Sequence, residues 1–372
     1  MCYIFPSIIH RLESYLITLE GCQSLGLIVS PWLALEAFTK DSDNTDEHQA
    51  EKILFQRGMG KNYERLEFIG DCFLKMATSI SIFSISPDNN EFEFHVKRML
   101  MICNQNLQKT ATKKKLYEFI RSVGFNRSTW YFDGIQQTHG RSIWNNSRFE
   151  HPLGDKTIAD VCEAIIGAVL VSHQGTRNMD MAVKAVTKLV ESPDHTVERW
   201  ADYYLLYQKP TYQLAPSTAS QRNLADQIEK TLGYQFKYPR LLRSAFLHPS
   251  YPISFEKIPC YQRLEFLGDS LLDMTAVNFL YDRYPDKDPQ WLTEHKMAMV
   301  SNKFLAALAV KLGFHRHMRF SGTAIEAQNR DYVIEVGDAE EDSKGQMDYW
   351  TNTKQPPKVS LRFTTTLLRR SG

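Results

Sequence analysis

The chain has 372 residues, 43% hydrophobic and 23% charged, with a formal net charge of +1. The length fits two domains of ordinary size, and the near-neutral balance gives no argument for or against nucleic acid. No apolar run approaches the roughly 20 residues of a membrane span, Arg11 and Glu13 interrupt the first apolar stretch, and the six cysteines form no CxxC pair, which excludes a signal peptide, a zinc site and a disulfide framework and implies a cytoplasmic or nuclear protein, not a secreted one.

In chain order, residues 1–37 read as helical, with Ile8, Ile9, Leu12, Tyr15 and Leu16 near a 3.6 period and Gly21 and Pro31 as punctuation. Asp41 to Glu51 is acidic and polar, a loop. A long apolar-periodic helix is expected over 52–84, a turn over Pro87 to Asn90, and helix again over 91–120. Lys109, Lys113, Lys114 and Lys115 make a basic run that suits either a solvated helix face or phosphate contact. Residues 124–154 read as an irregular insertion, 155–173 as a helix, 179–206 as one or two more, and 208–220 as a linker. Helical patterns return over 223–233, 238–247, 260–283 and 291–312. Strand signals are almost absent, so both domains should be all-α.

One string occurs twice. Tyr63 to Asp71 reads YERLEFIGD and Tyr261 to Asp269 reads YQRLEFLGD, identical at seven of nine positions and 198 residues apart. The same offset carries Met99, Met101, Asn104, Leu107 and Ala111 onto Met297, Met299, Asn302, Leu305 and Ala309. Duplication of a whole domain explains both matches, and the period is too long for a solenoid unit.

Each copy sets a Glu and an Asp four residues apart, Glu67 with Asp71 and Glu265 with Asp269. In a helix both carboxylates share one face. Two acids among Leu66, Phe68, Ile69, Phe73 and Met76 repel one another and resist burial, and a hard cation is the usual reason to keep such a pair. Downstream, Asp160 and Glu163 form an i, i+3 pair flanked by Ile158, Val161, Ile165 and Ile166. Four carboxylates from two helices could converge: Glu67, Asp71, Asp160 and Glu163. All-oxygen ligation favours Mg2+ or Mn2+ over zinc and suits phosphodiester hydrolysis. The bland alternative pairs the acids with cations such as Arg65 or Lys75.

YERLEFIGD followed by DKTIADVCEA resembles the signature of the ribonuclease III family. The double copy resembles the tandem ribonuclease III domains of fungal Dicer-like proteins. AFLHPSY (245–251) resembles the opening helix motif of that family, and EAFTKDS (36–42) is a weaker counterpart. The resemblance implies a double-stranded RNA endoribonuclease of RNA silencing, with the two domains paired within the chain and homo- or hetero-dimers as further options. It assigns catalysis and metal binding to Glu67, Asp71, Asp160 and Glu163, nearby or phosphate-contacting roles to Lys156, Asn104 and Asn302, and domain pairing to Phe68 and Phe266. Simple core packing is the plain alternative for the two phenylalanines.

The second copy does not continue in the same way. QPPKV (355–359) resembles the lead-in to a second acidic pair, yet the places of the acids hold Arg362 and Thr365. Glu265 and Asp269 then form an incomplete site. The acidic stretch Glu335 to Asp342 lies in a polar insertion and reads as a solvated loop. The tail 360–372 reads as translated intron or frameshift, since Val359-Ser360 can be encoded by GTNAGT, a splice-donor sequence. The resulting organisation is an N-terminal helical extension over 1–24, a first ribonuclease III domain over 25–205, a linker over 206–222, a truncated second domain over 223–359 and an aberrant tail. No GxxxxGK[ST] loop, RNA-end-binding module or double-stranded-RNA-binding domain is recognisable. An inactive RNA-binding fragment or truncated gene product is the second reading; a helical scaffold does not explain four framed acids.

Overall fold

The computed structural model describes residues 4–40, 61–122, 125, 153–172 and 177–342. Among the described residues every regular element is a helix, and the extended pairings are two isolated bridges, Thr39 with Arg121 and Leu247 with Arg319. The expected all-α class holds. The chain divides into two units, Met1–Ser81 with Lys97–Leu205, and Ile82–Val96 with Leu206–Gly372. The extension 1–24 therefore belongs to the first unit, and the segment 82–96 to the second, where the sequence placed neither.

In the first unit, α1 (Phe5–Ser24) buries Ser14, Thr18, Gly21 and Cys22 and packs on α2 (Pro31–Ala37). Gly26, at φ +67°, takes the left-handed turn between them, so the break expected at Gly21 falls at Gly26 instead. The long helix α3 begins at Glu64 rather than 52 and runs to Ile85; residues 52–60 lie outside the described part. It is 22 residues long and, contrary to the sequence expectation, apolar enough by length and composition to cross a membrane. Its most apolar stretch is 72% buried inside the protein, so its apolar surface serves the core.

After α4 (Glu91–Ile102) the chain is extended at Cys103 (ψ 144°), and α5 (Asn104–Lys113) follows with a 3-10 turn at Leu116–Phe119. The helical stretch expected over 91–120 is thus three pieces. Lys113 and Lys114 both pair with Glu191, at 2.7 and 2.6 Å, so two of the four lysines in the basic run serve the fold. The central helix α6 (Asp155–Val171) is buried from Thr157 to Leu170 and packs on α2, α5 and α7 (Met179–Val190). A helix that is apolar all round belongs in a core, and here the core surrounds it. The short helix α8 (Asp202–Leu206) closes the unit.

The expected linker is partly helical. A short α9 (Thr211–Leu214) precedes α10 (Ala219–Leu232), whose start is fixed by a capping box between Thr218 and Gln221. The second unit continues with α11 (Pro239–Ala245), α12 (Ile253–Glu256) and α13 (Gln262–Arg283), which carries the second nonamer. Then come α14 (Pro289–Val300) and α15 (Asn302–Lys311), split where Ser301 caps the Phe304 amide. The break at Ser301 repeats that at Cys103.

The backbone repeats too. Arg121 N donates to Phe38 O and Arg319 N to Phe246 O, while Tyr63 N donates to Thr39 O and Tyr261 N to Leu247 O. The duplication is therefore legible in matched main-chain bonds as well as in the nonamer.

The acidic stretch 335–342 is a correction. It forms the end of α16 (Thr323–Asp342), not a loop. Tyr332 and Val336, one turn apart, bury against Ala306 of α15 and anchor the polar helix.

Candidate metal centre

Two helices cross to build the site. A Cβ placed on Gly70 of α3 would lie 1.9 Å from the Glu163 carbonyl oxygen, and one on Gly167 of α6 would lie 2.1 Å from the Leu66 carbonyl. Only glycine at both positions lets the backbones approach so closely. The crossing brings the first turn of α3 against the polar turn of α6.

Ligand-capable oxygens of Glu67, Asp160 and Glu163 all lie within 4.8 Å of one another. Asp160 and Glu163 are buried, and Glu67 and Asp71 are half-buried. Asp71 lies outside the tight group of three, though its charge acts on Glu163. Burial, with Asp160 nearby, raises the Glu67 carboxyl to about 7. Burial, followed by the charges of Asp71 and Glu67, raises Glu163 to about 9.

Lys156 is a counter-charge at the site. Its Nζ donates to Asp160 Oδ2 at 2.9 Å, and that bond raises the lysine pKa. Tyr63 also donates to Asp160 Oδ2, at 3.3 Å. Sequence reasoning missed Tyr63 and the Gly70–Gly167 crossing. Tyr63 and Gly70 do lie inside the repeated nonamer, which was the available signal.

The donor set is all oxygen and half sheltered from water, and burial and mutual repulsion keep protons on Glu67 and Glu163. These properties fit a hard divalent cation. Glu67, Asp160 and Glu163 would hold it, with Asp71 beside them.

Asn104 opens α5 in an exposed position and makes no hydrogen bond to these acids. Asn302 has the matching place on α15. Phe68 is half-buried on α3. Phe266 is buried in the second unit, stacked on Phe94 at 5.0 Å with the His95 ring edge-on at 5.1 Å. Beside it, buried Arg263 donates to the Pro87 carbonyl and to Tyr212 Oη. Glu265 is half-buried and Asp269 exposed, and among the described residues no third acid, His or Cys joins them in a metal-sized cluster. Arg362 and Thr365 lie outside the described residues, as does the tail. The described cysteines, at 22, 72, 103, 162 and 260, are free thiols.

The family profile described as Ribonuclease III domain matches residues 64–174 and 262–359. The chain belongs to the ribonuclease III family. Each matched segment of ribonuclease III type contains all but the first residue of one nonamer, and the first contains the whole carboxylate cluster. Dicer-like protein 1 of Aspergillus oryzae is 60% identical over 359 residues, covering 96% of this chain and 24% of that protein. Dicer-like protein 1 of Phaeosphaeria nodorum is 58% identical over 370 residues, with 96% and 24% covered. That of Chaetomium globosum is 56% identical over 341 residues, with 91% and 21% covered. The chain thus spans about a quarter of the length of these relatives.

Proposed function

We propose that this chain is a divalent-metal-dependent endoribonuclease that cuts double-stranded RNA with one complete site, the one in the first unit. The observation that carries this is the convergence of Glu67, Asp160 and Glu163 within 4.8 Å at a crossing that only glycine permits. The likeness to Dicer-like proteins supports the substrate class. Duplex RNA is read largely by shape and backbone.

A bound Mg2+ or Mn2+ would supply Lewis-acid stabilisation of the phosphate and an acidified water. The chain does the rest. Glu67 and Glu163 give up protons when positive charge enters, because only burial and like charge hold those protons. Tyr63 and Lys156 fix the orientation of Asp160 by two bonds to the same oxygen. Lys156, whose side chain is 75% exposed, is free to turn towards an RNA phosphate once the acids have another counter-ion.

Pairing of the two repeats within the chain is part of the reading, supported by Phe266 on Phe94, since Phe94 falls in the first matched segment and Phe266 in the second. The free thiols accord with a reducing compartment, cytoplasm or nucleus. A second reading, a duplex binder without cleavage, is favoured by the incomplete acid set around Glu265 and Asp269. Incubating the protein with labelled duplex RNA and Mg2+ separates the two. Cleavage that Glu163→Gln abolishes supports the nuclease; retention of duplex without cleavage supports the binder.

A further inference from the structure

Asp160 has two carboxylate oxygens, and its neighbours hold one of them. Oδ2 accepts from Tyr63 Oη at 3.3 Å and from Lys156 Nζ at 2.9 Å. Among the described residues no hydrogen bond or ion pair reaches Oδ1.

The two donors differ in permanence. The Lys156 side chain stands 75% exposed on the first turn of α6, where a phosphate can draw it away. Tyr63 is 7% exposed. Its backbone N donates to Thr39 O at 3.0 Å, and its carbonyl accepts from Leu66 N and Glu67 N, both at 2.9 Å. Thr39 is tied in turn: its hydroxyl donates to Leu35 O at 2.6 Å, and its backbone bridges to Arg121. The tyrosine is thus pinned between the end of α2 and the start of α3, with its hydroxyl on α6. A phenol keeps its proton at neutral pH, so this donor stays in place when Lys156 turns away.

We infer that Tyr63 is a positioning residue that sets which cation the cluster prefers: by holding Oδ2 it leaves Asp160 one oxygen, Oδ1, to offer beside Glu67 and Glu163. That role rests on the cluster being a metal centre, as proposed above. Carboxylates that give one oxygen each suit a small ion with about six ligands in octahedral geometry, Mg2+ or Mn2+. Ca2+ takes up to about eight oxygens and gains from a carboxylate that closes on it with both. The Tyr63 bond withholds that second oxygen.

The test measures metal binding alone, on the full chain without RNA. Mn2+ is followed by the electron paramagnetic resonance of the free ion, and Ca2+ by its displacement of Mn2+. The parent should bind Mn2+ more tightly than Ca2+. Tyr63→Phe removes one oxygen and keeps the ring, so the fold should persist. Its Mn2+ affinity should fall about tenfold, the lower end for losing a hydrogen bond to a ligand, while its Ca2+ affinity holds or rises. A tyrosine that merely packs would weaken both ions alike. Lys156→Met leaves the tyrosine bond intact and should move the two affinities together. A parent that prefers Ca2+, a Tyr63→Phe chain with the parent's preference, or one that no longer melts cooperatively overturns the inference and leaves the metal centre standing. Absence of saturable Mn2+ binding to the parent overturns both.

Discussion

Asp160 sits where three roles meet: it accepts from Tyr63, pairs with Lys156 and shares a metal-sized cluster with Glu67 and Glu163. Removing Lys156 as Lys156→Met should lower cleavage about 10–100-fold, as loss of a partner that orients a ligand does, with the duplex still bound; cleavage and retention assays on the same samples check it. The cluster also makes stability depend on pH. Glu67 and Glu163 hold protons more tightly folded than unfolded, with folded values of about 7 and about 9 against an ordinary 4.5. Without metal their contribution is full below about pH 4.5 and is lost as pH rises through 7 and then 9. Melting curves in EDTA should therefore shift downward from pH 5.5 to 8.5, and Mg2+ should raise the melting temperature more at 8.5. A flat profile, or an upward one, would contradict the burial argued for these acids. The pairs Glu67 with Asp71 and Asp160 with Glu163 were legible from spacing, because i, i+3 and i, i+4 offsets fix a common face; that Glu67, Asp160 and Glu163 draw together while Asp71 stays outside was not. Nor was Tyr63, because a tyrosine donor at 3.3 Å depends on how two helices meet, and local periodicity carries no such information.

At the scale of elements, the α3–α6 crossing decides whether the site exists. Gly70→Ala would put a methyl 1.9 Å from the Glu163 carbonyl, and the backbones must move apart. The expected cost is at or above about 3 kcal/mol, the upper end for overpacking, measured by denaturant melting with loss of Mg2+ response. Gly268→Ala should instead stabilise α13 by about 0.5–1 kcal/mol, the usual helix gain over glycine. Two equal effects would show that the crossing is not special. Helix content was readable from period, yet several boundaries were not. The breaks at Cys103 and Ser301 fall inside apolar-periodic runs without Pro or Gly, and what stops the helix there is local backbone geometry and, at Ser301, a hydroxyl cap. The helix over 323–342 was missed because its polar surface outweighs two anchors, Tyr332 and Val336. Likewise Thr218 with Gln221 is a capping signal hidden in a stretch that composition alone marks as linker.

At the scale of the molecule, one ancestral unit gave rise to two that now differ in what they bury. Both keep the same backbone clasp around their bridges, and both keep the nonamer. Only the first surrounds its nonamer with a second acidic helix among the described residues. On the proposed function, a duplex meeting the single complete site would be nicked on one strand. The most direct measurement is a strand-resolved cleavage assay: a duplex RNA with a different label on each strand, incubated with the full chain and Mg2+ and resolved on native and denaturing gels. The account predicts nicks, with duplexes intact on the native gel, and complete loss of nicking in Glu163→Gln. Double-strand scission, or nicking that survives Glu163→Gln, would contradict it.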